Sequence, residues 1–302
     1  MKRILVTGAT GNVGREVVQA LQHLGGVIIR AGVRHVALHE ATWRAWPQVQ
    51  PVVFDFCDAA THAAALAGCD GLFLLRPPEL TDAFGDLIAR ARRAGVGHIV
   101  FLSVQGAEDN RFIPHHKTEQ LLRASGVPYT LLRPAYFMQN FITTLRADLV
   151  ARHRIFLPAG RARSALVDVR DVGSVAAVVL AEPGAQHHGQ AYTLTAQHRL
   201  TFQQMAEQLT AGLGVPIAYE SPTPWTFYRA KRREGLAPGF ILVMLLLHYL
   251  PRFLAEPPVT STIAELLGRP PIEFEQFVAD NRSALGTGTE NNTKPGQPSQ
   301  TG

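Results

Sequence analysis

Ile4-Leu5-Val6-Thr7-Gly8-Ala9-Thr10-Gly11-Asn12-Val13-Gly14-Arg15 holds the junction on which the reading of this chain turns. Ile4 to Val6 is a short apolar run, the pattern of a buried strand. It stops at Thr7-Gly8. Val13, Val17, Leu21 and Leu24 then recur at helical spacing, with Arg15, Glu16, Gln19 and Gln22 between them. Gly8, Gly11 and Gly14 sit at the turn. In a strand–turn–helix unit of this kind the first glycine allows a tight turn. The second lets the backbone approach a diphosphate, and the third lets the helix pack closely on the strand. Unpaired N–H groups at the helix start then face the phosphates, with the helix dipole behind them. Glycines alone would fit an unliganded turn. Their place between a strand and a helix points to a dinucleotide.

Outward from this junction, strands alternate with helices. Strands are expected at Val27 to Val33, Val52 to Phe54 (after the Trp46-Pro47 loop), Gly71 to Leu75, His98 to Ser103 and Tyr129 to Arg133. Helices are expected at Ala59 to Leu66, Asp82 to Ala94 and His116 to Ser125. Repeated βα units imply an α/β fold, a doubly wound, Rossmann-like parallel sheet with helices on both faces. Ligands of such sheets bind beyond the carboxyl ends of the strands. Those ends carry Thr7-Gly8, Arg34, Asp55, Leu75-Arg76, Ser103 and Arg133-Pro134.

The pattern changes near Ala151. Arg170 to Leu180 reads as a helix, Gln190 to Thr195 as a strand, and Thr201 to Leu213 as a helix with Thr201 as its N-cap. Segments rich in Pro and aromatics follow, among them Trp225 to Tyr228. The expected division is a nucleotide-binding domain over 1–150, a smaller α/β substrate lobe over 151–285 whose elements can return to the first domain's core, and a disordered tail over 286–302.

The chain has 302 residues, 46% of them hydrophobic, enough for a substantial core. A net charge of +5 spread over scattered arginines, with no helix-turn-helix and no zinc spacing, argues against a nucleic-acid partner. Cys57 and Cys69, twelve positions apart, form neither a metal site nor a disulfide framework and suit a reducing cytoplasm. The N-terminal segment enters a strand at once, so no signal peptide is expected. Phe240 to Leu247, the longest apolar run, is far short of the roughly 20 residues that span a bilayer. It reads as a buried helix, or one lining a pocket or a dimer contact, and no membrane partner is expected.

The cofactor follows from the second strand. A site for NAD commonly places Asp or Glu at its end, against the ribose 2′-hydroxyl. Here no acid appears until Glu40, and Arg34 stands twenty residues beyond Gly14. A guanidinium grips a 2′-phosphate through charge-assisted bonds, which favours NADPH (NADP+) over NADH. Arg30 is the poorer candidate. Asp55-Phe56 fits the adenine flank, though Asp55 fits a helix cap equally well.

Three further stretches join the glycine loop: Phe101-Leu102-Ser103-Val104-Gln105-Gly106-Ala107, Pro114-His115-His116-Lys117-Thr118-Glu119 and Leu132-Arg133-Pro134-Ala135-Tyr136-Phe137-Met138-Gln139-Asn140. With Thr260 to Phe277, which contains Glu265-Leu266-Leu267-Gly268-Arg269-Pro270-Pro271, they make the chain resemble the NmrA-like branch of atypical short-chain dehydrogenase/reductases. That branch includes NAD(P)H:quinone oxidoreductases, triphenylmethane reductases and redox-sensing regulators. The resemblance runs to about Leu285. It implies cofactor contacts from Gly8, Ala9, Thr10, Gly11, Asn12, Val13 and Gly14, from Arg34, from Asp55-Phe56 and from Leu75-Arg76-Pro77. Lys117 and Tyr136-Phe137 would lie near the nicotinamide end.

Ordinary short-chain dehydrogenases place a Tyr four residues before the active-site Lys, as the proton donor. Ile113 stands there, four before Lys117, so the usual acid is missing. Lys117 remains a candidate to hold the ribose hydroxyls or to stabilise charge on a reduced acceptor. His116, with His115 beside it, is a candidate proton source, and Ser103 a candidate substrate contact or loop cap. A quinone needs less acid help than a ketone, so positioning supplies much of the catalysis. Gln105, Phe137, Asn140 and Trp225 are the candidate pocket walls, although lobe packing explains the aromatics as well. The expected function is NADPH-dependent hydride transfer to a quinone or similar conjugated small-molecule electron acceptor, without metal. The alternative is a non-catalytic NADP(H) sensor that binds a regulatory protein partner.

Overall fold

The computed structural model describes residues 1–39, 43, 46–77, 83–182 and 184–286. Expected features at Glu40, Asp82 and 287–302 lie outside them. The first half of the chain runs β1 (Lys2–Val6), α1 (Asn12–Leu24), β2 (Val27–Val33), β3 (Val49–Val53), α2 (Ala60–Leu66), β4 (Gly71–Leu74), α3 (Ala83–Arg93), β5 (His98–Leu102), α4 (Pro114–Ala124) and β6 (Tyr129–Pro134). With β10 (Ala191–Leu194) these strands form one seven-stranded sheet, in the order β10-β6-β5-β4-β1-β2-β3. Every pairing in it is parallel. This is the doubly wound, Rossmann-like α/β sheet that the alternating pattern implies.

Both faces of the sheet are covered. Ile4, Val6, Ile29, Phe73 and Val100 pack against one helical layer, and Leu5, Leu72, Leu74, Ile99, Phe101 and Leu131 against the other. Strands buried on both faces read as continuous apolar runs, which is why they stand out in the sequence. Boundaries differ in places. The third strand begins at Val49 and ends at Val53, not at Phe54. The helix carrying Lys117 starts at Pro114, two residues early, because proline at the first helical turn loses no backbone hydrogen bond.

The later chain is interleaved with the first half. The helix α6 (Val169–Ala181) packs along α1, and Gly173 permits the closest approach. A Cβ there would lie 2.6 Å from Glu16 Cβ and 2.7 Å from its carbonyl carbon. The remaining elements form a second cluster around Phe141, Leu157, Phe202, Phe227, Phe274 and Phe277. It holds the short strands β7 (Tyr136–Phe137), β8 (Arg154–Phe156), β9 (Arg163–Val167), β11 (Arg199–Thr201) and β12 (Ala218–Glu220). Its helices are α5 (Arg146–Arg152), α7 (Phe202–Leu213), α8 (Pro224–Arg233), α9 (Pro238–Tyr249), α11 (Phe274–Asp280) and α12 (Arg282–Leu285), whereas α10 (Thr262–Leu267) packs through Ile263 on the main core. The cap on α7 is as expected: the Thr201 hydroxyl accepts from Gln204 N, and the Gln204 side chain returns to Thr201 N.

One expectation is overturned. Of the two readings of the Phe240 to Leu247 run, the buried helix fails, and a helix lining a pocket or a dimer contact remains. In α9 only Ile241, Met244 and His248 are buried, and Leu242, Leu246 and Leu247 are more than half exposed. Hydropathy alone cannot tell a helix apolar on both faces from one enclosed on both.

Candidate functional site

The register of the sheet gathers the candidate residues along one edge. Val6 pairs with Ala31 of β2 and Phe73 of β4, Leu74 with Phe101, and Leu102 with Leu132. Thr7-Gly8, Arg34, Asp55, Leu75 and Ser103 therefore follow adjacent strand ends, the place where such folds take ligands.

Gly8 adopts a left-handed backbone with φ of 60°, which glycine enters without cost. Leu75 packs so closely that a Cβ on Gly8 would fall 2.3 Å from Leu75 Cδ2. The Thr7 hydroxyl donates to Phe73 O at 2.9 Å and accepts from Leu75 N at 3.2 Å, joining the two strand ends. A Cβ on Gly14 would lie 2.1 Å from Gly8 O, so the helix start rests directly on the loop. A Cβ on Gly11 meets only Gly8 O, at 3.2 Å. Gly11, Thr10 and Asn12 are exposed, whereas Ala9 and Val13 are buried. No side chain caps α1, and its first turn has no acid. The early N–H groups of α1 thus face an open cradle with the positive end of the helix dipole behind them, which suits a diphosphate.

Arg34 is exposed just past β2 and makes no hydrogen bond or ion pair among the described residues. Arg30 is otherwise employed. Its Nη1 donates to the carbonyls of Ala64, Ala65 and Ala67 at 2.8 to 3.1 Å and so caps the end of α2. The structure corrects the alternative role of Asp55. It does not cap α2; its Oδ1 accepts from Cys57 N at 2.9 Å, while Asp58 Oδ1 accepts from Ala60 N. Phe56 meets Phe54 edge-on and stacks at 6.2 Å on Phe84, over which Arg76 also lies. Pro77 follows, half-buried.

At the other end of the edge the structure revises the catalytic candidates. Ser103 is buried, and its hydroxyl donates to Glu119 Oε1 at 2.6 Å. Arg133 donates to the same carboxylate through Nε at 3.0 Å and Nη2 at 2.6 Å. Ser103 belongs to a buried clasp joining β5, β6 and α4, with its hydroxyl proton given to Glu119. Burial pushes the Glu119 carboxyl up, but the bonds from Arg133 and Ser103 outweigh it and hold it below the usual glutamate range. Sequence reasoning missed this clasp, though a cation closing the apolar strand Tyr129–Pro134 required a buried partner. Lys117 is exposed on α4, two residues before Glu119. His116 Nδ1 donates to Ala107 O at 2.7 Å, leaving Nε2 as its only other ring nitrogen. His115, held near Phe101, has its pKa lowered to about 4 by burial and then by the charge of Arg76, so it is neutral at pH 7.

Tyr136 and Asn140 come together with a residue the sequence did not flag. His248 on α9 is buried, and burial lowers its pKa to about 4. Its Nδ1 lies 2.6 Å from Met244 O and must donate, since a carbonyl only accepts. Nε2 then accepts from the Tyr136 hydroxyl at 3.2 Å. Burial raises the Tyr136 phenol, opposed by a hydrogen bond from the Asn140 side chain. The chain Asn140–Tyr136–His248–Met244 ties α9 to the segment after β6. Phe137 packs against the main core. Of the other pocket candidates, Gln105 lies beside the end of β6, its N–H donating to Pro134 O at 3.0 Å and its amide to Pro258 O at 2.8 Å, and Trp225 is 66% exposed, stacked on Tyr228. Among the described residues no cluster of His, Cys, Asp and Glu suits a metal ion.

The profile of the NmrA-like family matches residues 1–231, and the chain belongs to that family. An NAD(P)H azoreductase of Xenophilus azovorans is 31% identical over 94% of this chain and 99% of its own. A (4-alkanoyl-5-oxo-2,5-dihydrofuran-3-yl)methyl phosphate reductase of Streptomyces griseus is 34% identical over 93% and 99%. Among solved structures, an NADPH-dependent quinone oxidoreductase of Escherichia coli in complex with NADPH superposes with a TM-score of 0.79. It is 26% identical, over 92% of this chain and 99% of that one. The chain is an oxidoreductase whose cofactor is a nicotinamide dinucleotide.

Proposed function

We propose that this protein is an NADPH-preferring reductase that delivers hydride to a quinone or a similar conjugated small electrophile. One observation carries the reading: an open, acid-free helix start beside a strand end that carries Arg34 where an acid would select NADH. When bound, the reduced nicotinamide supplies the hydride. Gly8, Ala9, Thr10, Gly11, Asn12, Val13 and Gly14 hold the diphosphate through backbone N–H groups, and Arg34 pairs with the 2′-phosphate. Phe56, Leu75, Arg76 and Pro77 flank the cofactor. Lys117 holds its ribose or balances charge on the reduced acceptor.

The acceptor class follows from what the chain lacks. Ile113 cannot donate a proton, His115 and His248 are neutral at pH 7, and the Tyr136 proton is engaged with His248, which leaves His116 as the remaining candidate acid among those named. A hydroquinone anion takes its proton from solvent, so such a site needs positioning more than acid catalysis. The quinone specificity of the Escherichia coli neighbour agrees with this. Two free cysteines, Cys57 exposed and Cys69 buried, fit work in a reducing cytoplasm.

The test is NADPH consumption by the purified protein over a panel of quinones, with NADH alongside and binding followed by nicotinamide fluorescence. Turnover that prefers NADPH is expected. Tight NADPH binding without turnover on any quinone would overturn the quinone reading.

A further inference from the structure

We propose that the outer face of α9 and the arginine-lined groove at its end form a docking surface for an anionic lipid bilayer. At about 100° per residue, Leu242, Val243, Leu246, Leu247 and Leu250 fall within one arc of about 140°. All five are exposed, and Phe253 and Leu254 extend the stripe at 66% and 61% exposure. Ile241, Met244 and His248 occupy the opposite side and are buried. The helix therefore has its core contact already and a second apolar face besides. A contiguous face of this kind marks an interaction surface.

Charge selects the occupant. Between Pro222 and Ala255 there are five cations, Arg229, Lys231, Arg232, Arg233 and Arg252, against one acid, Glu234. Lys231 is buried and paired with both Asp148 and Glu234, so the charge this stretch shows to solvent is that of its four arginines. Glu234 is paired with Lys231 at 2.8 Å and Arg152 at 2.6 Å, and the four arginines are exposed. A groove of about 510 Å³ adjoins the end of the stripe, lined by Arg161, Arg163, Arg252, Pro251, Leu254 and Glu256. Glu256 lies 4.0 Å from Arg163 and 3.8 Å from Arg199, which leaves Arg161 and Arg252 without a counter-charge among the described residues. Arg252 is held in place, 5.1 Å from the Tyr249 ring centroid and across Gly160, where a Cβ would come within 2.8 Å of its Nε.

A second copy of this face would bring like charges together, which opposes a symmetric contact. An anionic bilayer offers an acyl layer for the leucines and phosphates for the arginines, the pairing used by helices that lie in a membrane interface. Among the described residues no helix is long and apolar enough to cross a membrane, so attachment is to the surface. This docking is independent of the reductase reading, because it is read by vesicle binding rather than turnover.

The experiment is co-sedimentation of the full chain with sucrose-loaded vesicles of phosphatidylcholine alone or mixed equally with phosphatidylglycerol. Binding to the mixed vesicles is expected to be at least tenfold stronger than to neutral ones and to weaken in high salt. Leu246→Glu with Leu247→Glu, and separately Arg229→Glu with Arg252→Glu, should each abolish it. Circular dichroism and NADPH fluorescence confirm that the variants fold. Wild-type protein that ignores both vesicles would overturn the proposal. So would variants that bind like wild type, or a wild-type dimer that Leu246→Glu dissociates and that shows no vesicle affinity.

Discussion

Glu119→Gln is the substitution that most directly tests how the site's floor is held. Glu119 is buried on the inner face of α4 and receives two bonds from Arg133 and one from Ser103. The variant keeps the shape but removes the charge, leaving a guanidinium only 8% exposed without its full partner. Breaking one side of a buried pair costs roughly 3–5 kcal/mol. Glutamine still accepts one bond, and Glu108 lies 3.5 Å from Arg133, which places the loss near the lower limit, about 3 kcal/mol. With a urea m-value of about 3 kcal/mol/M the midpoint should fall by about 1 M. The pH dependence supplies an independent check. The folded carboxyl sits below its ordinary value of 4.5, so its contribution is fully present above 4.5 and is lost as pH falls through the lower folded value. The gap between wild type and variant should therefore be wide at pH 7 and narrow in acid. A midpoint shift below about 0.3 M, or a gap that does not change with pH, would refute the reasoning.

Three other outcomes are expected. Gly14→Ala puts a methyl group 2.1 Å from Gly8 O, so the loop must shift and fluorescence titration should show both NADPH and NADH binding severely weakened. Arg34→Ala should raise the Kd for NADPH roughly 10- to 100-fold, the loss of one bond between charged groups, and leave NADH nearly unchanged; an equal effect on both would contradict the cofactor argument. His98, His115 and His248 are each lowered from 6.5 to about 4 by burial, with neighbouring charge adding to the first two. Between those values the unfolded chain binds protons that the folded one does not, so stability should drop as pH falls from 6.5 toward 4, as measured by urea midpoints.

The central sheet was legible because its strands are apolar on both faces and each is punctuated by glycine, proline or a charged strand end. Ile4 to Val6 and the glycines after it needed nothing from the rest of the chain to be understood. The two- and three-residue strands Tyr136–Phe137 and Arg154–Phe156 are too short for any periodicity to register. The roles of Ser103 and His248 were hidden for another reason. Each is set by one partner across the fold, Glu119 for the first and Tyr136 for the second. A serine at a strand end looks the same whether its proton faces a ligand or a buried carboxylate. The Phe240 to Leu247 run misled in the same way, since composition records what a residue is and not whether anything covers it.

The packing of α6 on α1 across Gly173 sets a condition on how this protein is made. The helix α1 presents Val13, Val17 and Leu21 as buried residues of the core that α6 helps to close, and β6 takes β10 as its outer neighbour. A chain emerging from the ribosome reaches residue 150 with every residue of the glycine loop present. It still lacks the helix that covers α1 and the strand that pairs with β6. The nucleotide-binding half cannot complete its fold until Val169–Ala181 and Ala191–Leu194 have followed. A ribosome stalled between those points would therefore display an exposed apolar helix face and an open sheet edge, a nascent chain for a holdase chaperone rather than a finished domain.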